Sequence, residues 1–148
     1  MAEFTYNPVQ LVQPNEAVVL NTSIGCTKGY VLHRNESGIV ILRGIVNNPC
    51  SSFARYQVTF NGNIAVPTGG TVQAIAVGLA ISGEPIPTSR AIVTPAAVEN
   101  YFNVTSTAFI TVPRGCCFNV SVENVAAGDD APVAINVQNA NLVVTRVA

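Results

Sequence analysis

The stretch from Thr71 to Gly83 reads TVQAIAVGLAISG, and the eleven uncharged residues from Val72 are nearly all apolar. This run is too short for a transmembrane helix, which needs about 20 apolar residues. In an extended strand, alternate side chains point to opposite faces. The larger side chains then share one face, and the smaller ones share the other: Ile75, Val77, Leu79 and Ile81 against Ala74, Ala76, Gly78 and Ala80. We expect the large face to pack in a core and the small face to let another backbone layer, from this chain or a neighbour, approach closely.

Alternation of apolar and polar residues continues along most of the chain, interrupted by turn-forming residues. Gly38 to Val46 reads as a buried strand, and a second strand from Ala54 to Phe60 is expected to end at the turn Asn61-Gly62-Asn63. Four shorter strands follow, with Asn139-Ala140-Asn141 separating the last two: 109–112, 116–122, 133–137 and 142–147. This spacing predicts an all-β jelly-roll sandwich of about eight strands. One short helical turn is expected at Thr94-Pro95, because Thr is a good N-cap and Pro is favoured at the first helical position.

The first 25 residues are weakly patterned and contain prolines. We therefore divide the chain into an extended N-terminal arm, residues 1–25, and a jelly-roll domain, residues 26–148. The arm either docks on a neighbouring protein or forms a first edge strand, and its anchors would be Phe4, Tyr6, Val9 and Leu11. It lacks the positive region and long apolar region of a signal peptide, and no membrane anchor is expected.

Charged residues make up only 10% of the chain, while hydrophobic residues make up 49%. Soluble domains usually have about 25% charged residues. The shortage of charge indicates that part of the surface faces other copies, and the small face at Ala74, Ala76, Gly78 and Ala80 is the candidate interface. The net charge of -1 and the lack of a basic cluster argue against nucleic-acid binding.

No set of residues forms a recognisable catalytic or metal site. His33 is the single histidine, so neither a proton relay nor a histidine-based zinc site is available within one chain. The acidic residues Asp129 and Asp130 read as a solvated turn, and the sequence brings no two of Glu84, Glu99 and Glu123 together. The cysteines Cys26, Cys50, Cys116 and Cys117 lack C-x-x-C spacing. They are either reduced thiols or partners in disulfides within or between chains. We expect no enzyme activity and no cofactor.

Four segments occur in a familiar order: RYQVTFNGNIAV, GLAISGEPIPTSRA, FITVPRGCCFNVSVENVAAGDD and NVQNANLVVTRVA. This order resembles the bacterial relatives of the complement/tumour-necrosis-factor (TNF) jelly roll. These relatives include the C-terminal domains of collagen-like exosporium proteins and the head-decoration or fibre proteins of tailed phages. The resemblance implies a TNF-like compact trimer whose protomers pack strand faces around a threefold axis. It also implies a role in surface display or assembly.

The chain has no Gly-X-Y collagen stalk, and this argues against a spore-coat protein. We therefore expect a non-enzymatic homotrimer that decorates a phage capsid at the virion surface after assembly in the host cytoplasm. Its partners would be its own copies and a major capsid or other shell protein, with no nucleic acid and no membrane. One alternative is a self-assembling filament, spore-appendage or exosporium subunit on a bacterial cell or spore surface. Another is a lectin-like module that binds host-surface glycans.

Overall fold

The computed structural model describes residues 1–24 and 29–148. Within these ranges it contains one 3-10 helix, Pro87–Ser89, and twelve strands: β1 (Ala2–Tyr6), β2 (Gln10–Val12), β3 (Thr22–Ile24), β4 (Val31–His33), β5 (Val40–Arg43), β6 (Phe53–Ala65), β7 (Ile75–Ile81), β8 (Glu84–Pro85), β9 (Ala91–Val93), β10 (Phe102–Pro113), β11 (Cys117–Val125) and β12 (Ile135–Arg146). The count exceeds the expected eight because several edge strands have only two or three residues.

The strands form two antiparallel sheets. Sheet A has the order β10-β6-β12-β1-β3, and β2 also pairs with β12. Sheet B has the order β4-β5-β11-β7-β8, and β9 also pairs with β7. The prediction of an all-β sandwich is confirmed.

The core lies between the sheets and is formed by alternate residues of each long strand. Phe60 and Leu142 from sheet A and Leu79 from sheet B are fully buried in one hydrophobic cluster. Each such side chain contributes about 1.5–3 kcal/mol by leaving water. Tyr56 is also fully buried, and its hydroxyl donates a hydrogen bond to the carbonyl oxygen of Arg43 (2.5 Å), with the Tyr30 oxygen 3.3 Å away. The large face of β7 therefore packs as expected.

The turn predicted at Asn61-Gly62-Asn63 is wrong, because β6 continues to Ala65. Both neighbours, β10 and β12, pair with this strand beyond Asn61. Gly62 is needed for packing, since a Cβ there would lie 2.8 Å from the Phe60 ring. The break predicted at Asn139-Ala140-Asn141 is likewise a bulge inside β12, where the register shifts between Gln138 and Asn141. Asn139 supplies the left-handed backbone of this bulge, with φ 54°.

The helical turn predicted at Thr94-Pro95 is also wrong. Residues 94–100 contain no helix, and Glu99 has a left-handed φ of 57°, which a right-handed helix does not admit. The Glu99 carboxylate accepts hydrogen bonds from the backbone N–H and the hydroxyl of Thr68. The short 3-10 helix instead begins at Pro87, where a proline is again compatible with a helix N-terminus.

The described part of the N-terminal segment belongs to the sandwich. Strand β1 lies in sheet A between β12 and β3, and Phe4 is 1% exposed. The chain then crosses to sheet B, where the N–H of Val18 donates to the Val122 oxygen at 2.7 Å. This corrects the division into an arm and a separate domain at residue 25. Strand β1 is an interior strand of sheet A rather than the first edge strand that the sequence left open, and β3 lies at the edge instead. Docking of this segment on a neighbouring protein stays a prediction.

Candidate assembly surfaces

The small face of β7 is covered by the chain itself. Ala76, Gly78 and Ala80 are buried, and Ala74 is half-buried. The segment from β8 through the 3-10 helix lies over this face, so that a Cβ on Gly78 would be 3.5 Å from the Ser89 hydroxyl and 3.6 Å from Cγ of Arg90. The layer that approaches these small residues is therefore intramolecular. An interface between copies needs another surface.

Ser89 fastens this covering segment to β7. Along one edge of β7, strand β9 pairs up to Val77 and strand β8 pairs from Ala80 onward. The backbone N–H and carbonyl oxygen of Leu79 on this edge therefore have no strand partner. The Leu79 N–H donates to the Ser89 hydroxyl oxygen at 2.9 Å, and the Ile86 N–H donates to the Leu79 oxygen at 2.8 Å. The Ser89 hydroxyl donates to the Ile86 oxygen at 2.7 Å, and the Ser106 hydroxyl donates to the Ser89 oxygen. The buried Ser89 hydroxyl thus makes the hydrogen bond to the Leu79 N–H that a neighbouring strand would otherwise make.

The outer face of sheet A carries uncharged polar side chains in register. The pairs Asn103–Asn63, Thr105–Asn61 and Thr107–Thr59 lie directly opposite each other on β10 and β6, and Asn141 of β12 lies opposite Asn61. The Asn103 amide donates to Oδ1 of Asn61 at 2.9 Å and of Asn63 at 3.1 Å. The hydroxyls of Thr59 and Thr107 are 3.0 Å apart. We call these seven residues the amide–hydroxyl face.

Few charges border this face. On the outward side of β10, β6, β12 and β1, the charged residues are Arg55 and Glu3. The Arg55 guanidinium lies 5.0 Å from the ring centroid of Phe109, which is 57% exposed. The Asn141 amide donates to the Glu3 carboxylate. The outward side of these four strands therefore carries few charges.

The four predicted docking residues have different surroundings. Phe4 is in the core, and Tyr6 is half-buried against it. Val9 and Leu11 are 48% and 56% exposed, and Leu11 lies on β2 opposite Asn136. Only Val9 and Leu11 are therefore accessible to a partner.

Three of the four cysteines lie in the described residues and are exposed free thiols: Cys50, Cys116 and Cys117. Cys116 and Cys117 line a surface groove of about 280 Å³ together with Arg43 and Arg114. Cys26 lies outside the described residues. No disulfide joins the three described cysteines to one another, and a link between copies stays a prediction.

His33 has an ordinary structural role. Its ring packs on Phe4 with centroids 4.8 Å apart, and its Nε2 is 3.1 Å from the Ser37 oxygen. The described residues contain no group of three or more His, Cys, Asp or Glu side chains that could hold a metal ion. Asp129 and Asp130 are exposed, as is Glu84 on β8. No helix within residues 1–24 and 29–148 is long and apolar enough to cross a membrane.

Comparison with known proteins shows the fold. No protein-family model matches the chain. No curated protein matches it either. Among solved structures, the chain is similar to the globular domain of the zebrafish complement 1qA protein, with a TM-score of 0.63, 14% sequence identity and coverage of 99% of this chain and 96% of that one. The fold is a complement C1q/TNF-like jelly-roll sandwich, as the sequence predicted.

Proposed function

We propose that this chain is a non-enzymatic assembly module whose copies associate as a homotrimer through the amide–hydroxyl face of sheet A. The observation that supports this proposal is the composition of the face: seven asparagine and threonine side chains lie in register there, and the charged residues beside them are Arg55 and Glu3. Burying such a face removes few charges from water, and taking a charge out of water without a partner is costly. Amides and hydroxyls both donate and accept hydrogen bonds, so they can pair with the same groups on a copy.

The size of sheet A supports the same proposal. Strands β6, β10 and β12 have 13, 12 and 12 residues. At a rise of about 3.3 Å per residue and a spacing of about 4.8 Å between strands, they offer a surface of roughly 40 by 14 Å. This area, with the flanking part of β1, approaches the roughly 800 Å² that each partner buries in a specific interface.

The oligomer is tested with a charge on the centre of the face. Light scattering coupled to size-exclusion chromatography should give a trimer for the unchanged chain and a monomer for Thr59→Arg. Thr88→Arg is the matched control, because Thr88 is exposed on the covering segment of sheet B, and it should remain trimeric. A monomeric unchanged chain, or a Thr59→Arg variant that stays trimeric, would contradict the proposed contact.

We further propose that the trimer decorates a viral capsid, where it stabilises the shell at the virion surface. Val9 and Leu11 are 48% and 56% exposed and are the proposed contact with a shell protein. The test mixes the purified protein with shells that lack it and measures co-sedimentation. Leu11→Asp should lose shell binding and keep the trimer, while Ile92→Asp, an exposed change on β9, should keep both. Equal co-sedimentation of all three proteins would exclude this contact.

The exposed thiols favour one alternative, a self-assembling filament or spore-appendage subunit on a bacterial cell or spore surface. Cys50, Cys116 and Cys117 are available for links between copies. Such a filament should give ladders on a non-reducing gel that collapse with reductant, and Cys116→Ser with Cys117→Ser should remove them. Ladders that persist in the double variant would assign the links to other cysteines.

The exposed Phe109 favours a second alternative, binding of host-surface glycans. Its ring lies on the outer side of sheet A, close to Arg55 and in a sheet row adjoining the threonine pair. Aromatic faces stack on sugars, and the neighbouring amides offer hydrogen bonds. A glycan array with the unchanged chain and Phe109→Ala separates this function from assembly, because a binding signal lost in Phe109→Ala supports it and an array without signal excludes it.

A further inference from the structure

A cavity of about 280 Å³ lies on the outer side of sheet B and contains a buried carboxyl group. It is lined by residues that include Ala17, Ile39, Ser82, Asn119, Ser121 and Glu123. Glu123 pairs with Gly78 across β7 and with Ala17 across an isolated bridge. Because both of these neighbours are small, the Glu123 side chain lies low in the sheet surface and is only 8% exposed.

The carboxyl of Glu123 has little to compensate its burial. It accepts a hydrogen bond of 3.3 Å from the Ser121 hydroxyl. Burial raises the pKa of Glu123 above its ordinary value, and the bond from Ser121 lowers it by a smaller amount. Arg90 passes over Gly78, the residue opposite Glu123, but its guanidinium donates to the Ala126 oxygen at 3.1 Å rather than to this carboxyl. A buried charge without a partner is costly, and such groups are enriched at functional sites.

The walls of this cavity are held by backbone hydrogen bonds. The Ser82 N–H donates to the Asn119 oxygen at 2.8 Å and ties the turn after β7 to β11. On the other side, the Asn124 N–H donates to the Glu16 oxygen at 3.0 Å and fixes the segment that contains Ala17. The cavity is therefore preorganised, which lowers the entropic cost of binding a ligand.

We propose that this cavity binds a primary ammonium group, namely a lysine side chain of a partner protein. An ammonium has three donors and no acceptor, and the cavity offers acceptor oxygens on Glu123, Ser82 and Ser121. Ile39, which is 41% exposed, and Ala17 provide apolar contact for the four-carbon stem of lysine. A guanidinium fits less well, because it prefers two free carboxylate oxygens and one of them already accepts from Ser121.

The cavity is on sheet B, opposite the amide–hydroxyl face, so this proposal does not depend on the trimer contact. The direct test is an NMR titration of the isotope-labelled full chain at pH 8. The probe is Nα-acetyl-lysine methylamide, and its Nζ-acetylated form is the neutral control. We expect saturable shifts of the Ser82, Asn119 and Ser121 amides with the charged probe, and at least tenfold weaker binding of the neutral one.

Two variants locate the site. Glu123→Gln should weaken binding of the charged probe at least tenfold, while Glu16→Gln, an exposed change one residue from Ala17, should leave it unchanged. The comparison of the two probes on the unchanged chain decides the matter even if Glu123→Gln does not fold. Shifts that do not saturate, equal affinity for both probes, or a saturable response to glucose without one to the charged probe would each overturn the proposal.

Discussion

Replacing Ser89 by alanine should destabilise the protein far more than the loss of one oxygen atom would indicate. Ser89 is 4% exposed, and its hydroxyl accepts from the Leu79 N–H and donates to the Ile86 oxygen. In Ser89→Ala the Leu79 N–H is left buried without a partner, since β8 and β9 pair with β7 on either side of this position. An unsatisfied buried donor costs about 1–3 kcal/mol. We therefore expect the free energy of unfolding to fall by about 2 kcal/mol.

Urea unfolding followed by circular dichroism measures this change. The midpoint should fall while the slope stays constant, because the exposed surface of the unfolded chain is the same. In a chain of this size a loss of about 2 kcal/mol corresponds to a drop in Tm of roughly 4–8 °C. Hydrogen exchange of the Leu79 amide should accelerate in parallel. The control is Thr88→Ala, an exposed change at the adjacent residue. Equal midpoints for Ser89→Ala and Thr88→Ala would refute the role assigned to Ser89.

Three further predictions test other parts of the structure. Gly44→Ala should lower the free energy of unfolding by about 1–3 kcal/mol or more, because its Cβ would overlap the Pro113 carbonyl oxygen. Gly78→Ala should lower it by less than about 1 kcal/mol, since the nearest atoms to its Cβ would be 3.5 Å away. Thermal melts compare the two variants. Tyr56→Phe should lower the free energy of unfolding by about 1–2 kcal/mol, because the Arg43 carbonyl oxygen loses its hydroxyl donor, and urea midpoints measure it. Burial raises the pKa of Glu123, so the folded state keeps the carboxyl proton to a higher pH than the unfolded state does. The fold therefore loses stability as the pH rises through the raised pKa, because the buried carboxyl then becomes charged. Glu123→Gln should therefore match the unchanged chain at acid pH and exceed it in stability near pH 8, as a series of melts from pH 4 to 8 would show.

The sequence predicted the sandwich and the core face of β7, because period-2 alternation reports which residues enter the core. It failed at strand boundaries where asparagine and glycine occur inside strands. Asn61-Gly62-Asn63 has the composition of a turn, but long strands on both sides supply its backbone hydrogen bonds. Those pairings connect residues far apart in the sequence, so local composition could not reveal them. For the same reason the sequence did not place β1 inside a sheet, because its partner β12 is at the opposite end of the chain.

The small face of β7, predicted to be the interface between copies, is covered by the chain itself for a related reason. The small residues Ala76, Gly78 and Ala80 do allow close approach, but a short distance along the chain the covering segment supplies the approaching layer. The sequence alone cannot separate an intramolecular layer from an intermolecular one, because both need the same small side chains. Ser89 is the polar residue of that segment that becomes buried, but nothing in the sequence distinguishes it from the exposed Thr88 beside it.

The low charge content supports the proposed assembly surface on the outer side of sheet A rather than one on β7. A shortage of charge matters for assembly where it falls on one surface, and on the outward side of β10, β6, β12 and β1 the charged residues are Arg55 and Glu3. Sheet B instead carries Glu123 in a cavity where its carboxylate accepts a hydrogen bond from Ser121 and none from a lysine or arginine of the described residues. The two faces therefore favour different partners. A neutral hydrogen-bonding face suits another copy of this chain, whereas a buried carboxyl suits the cationic side chain proposed for a partner.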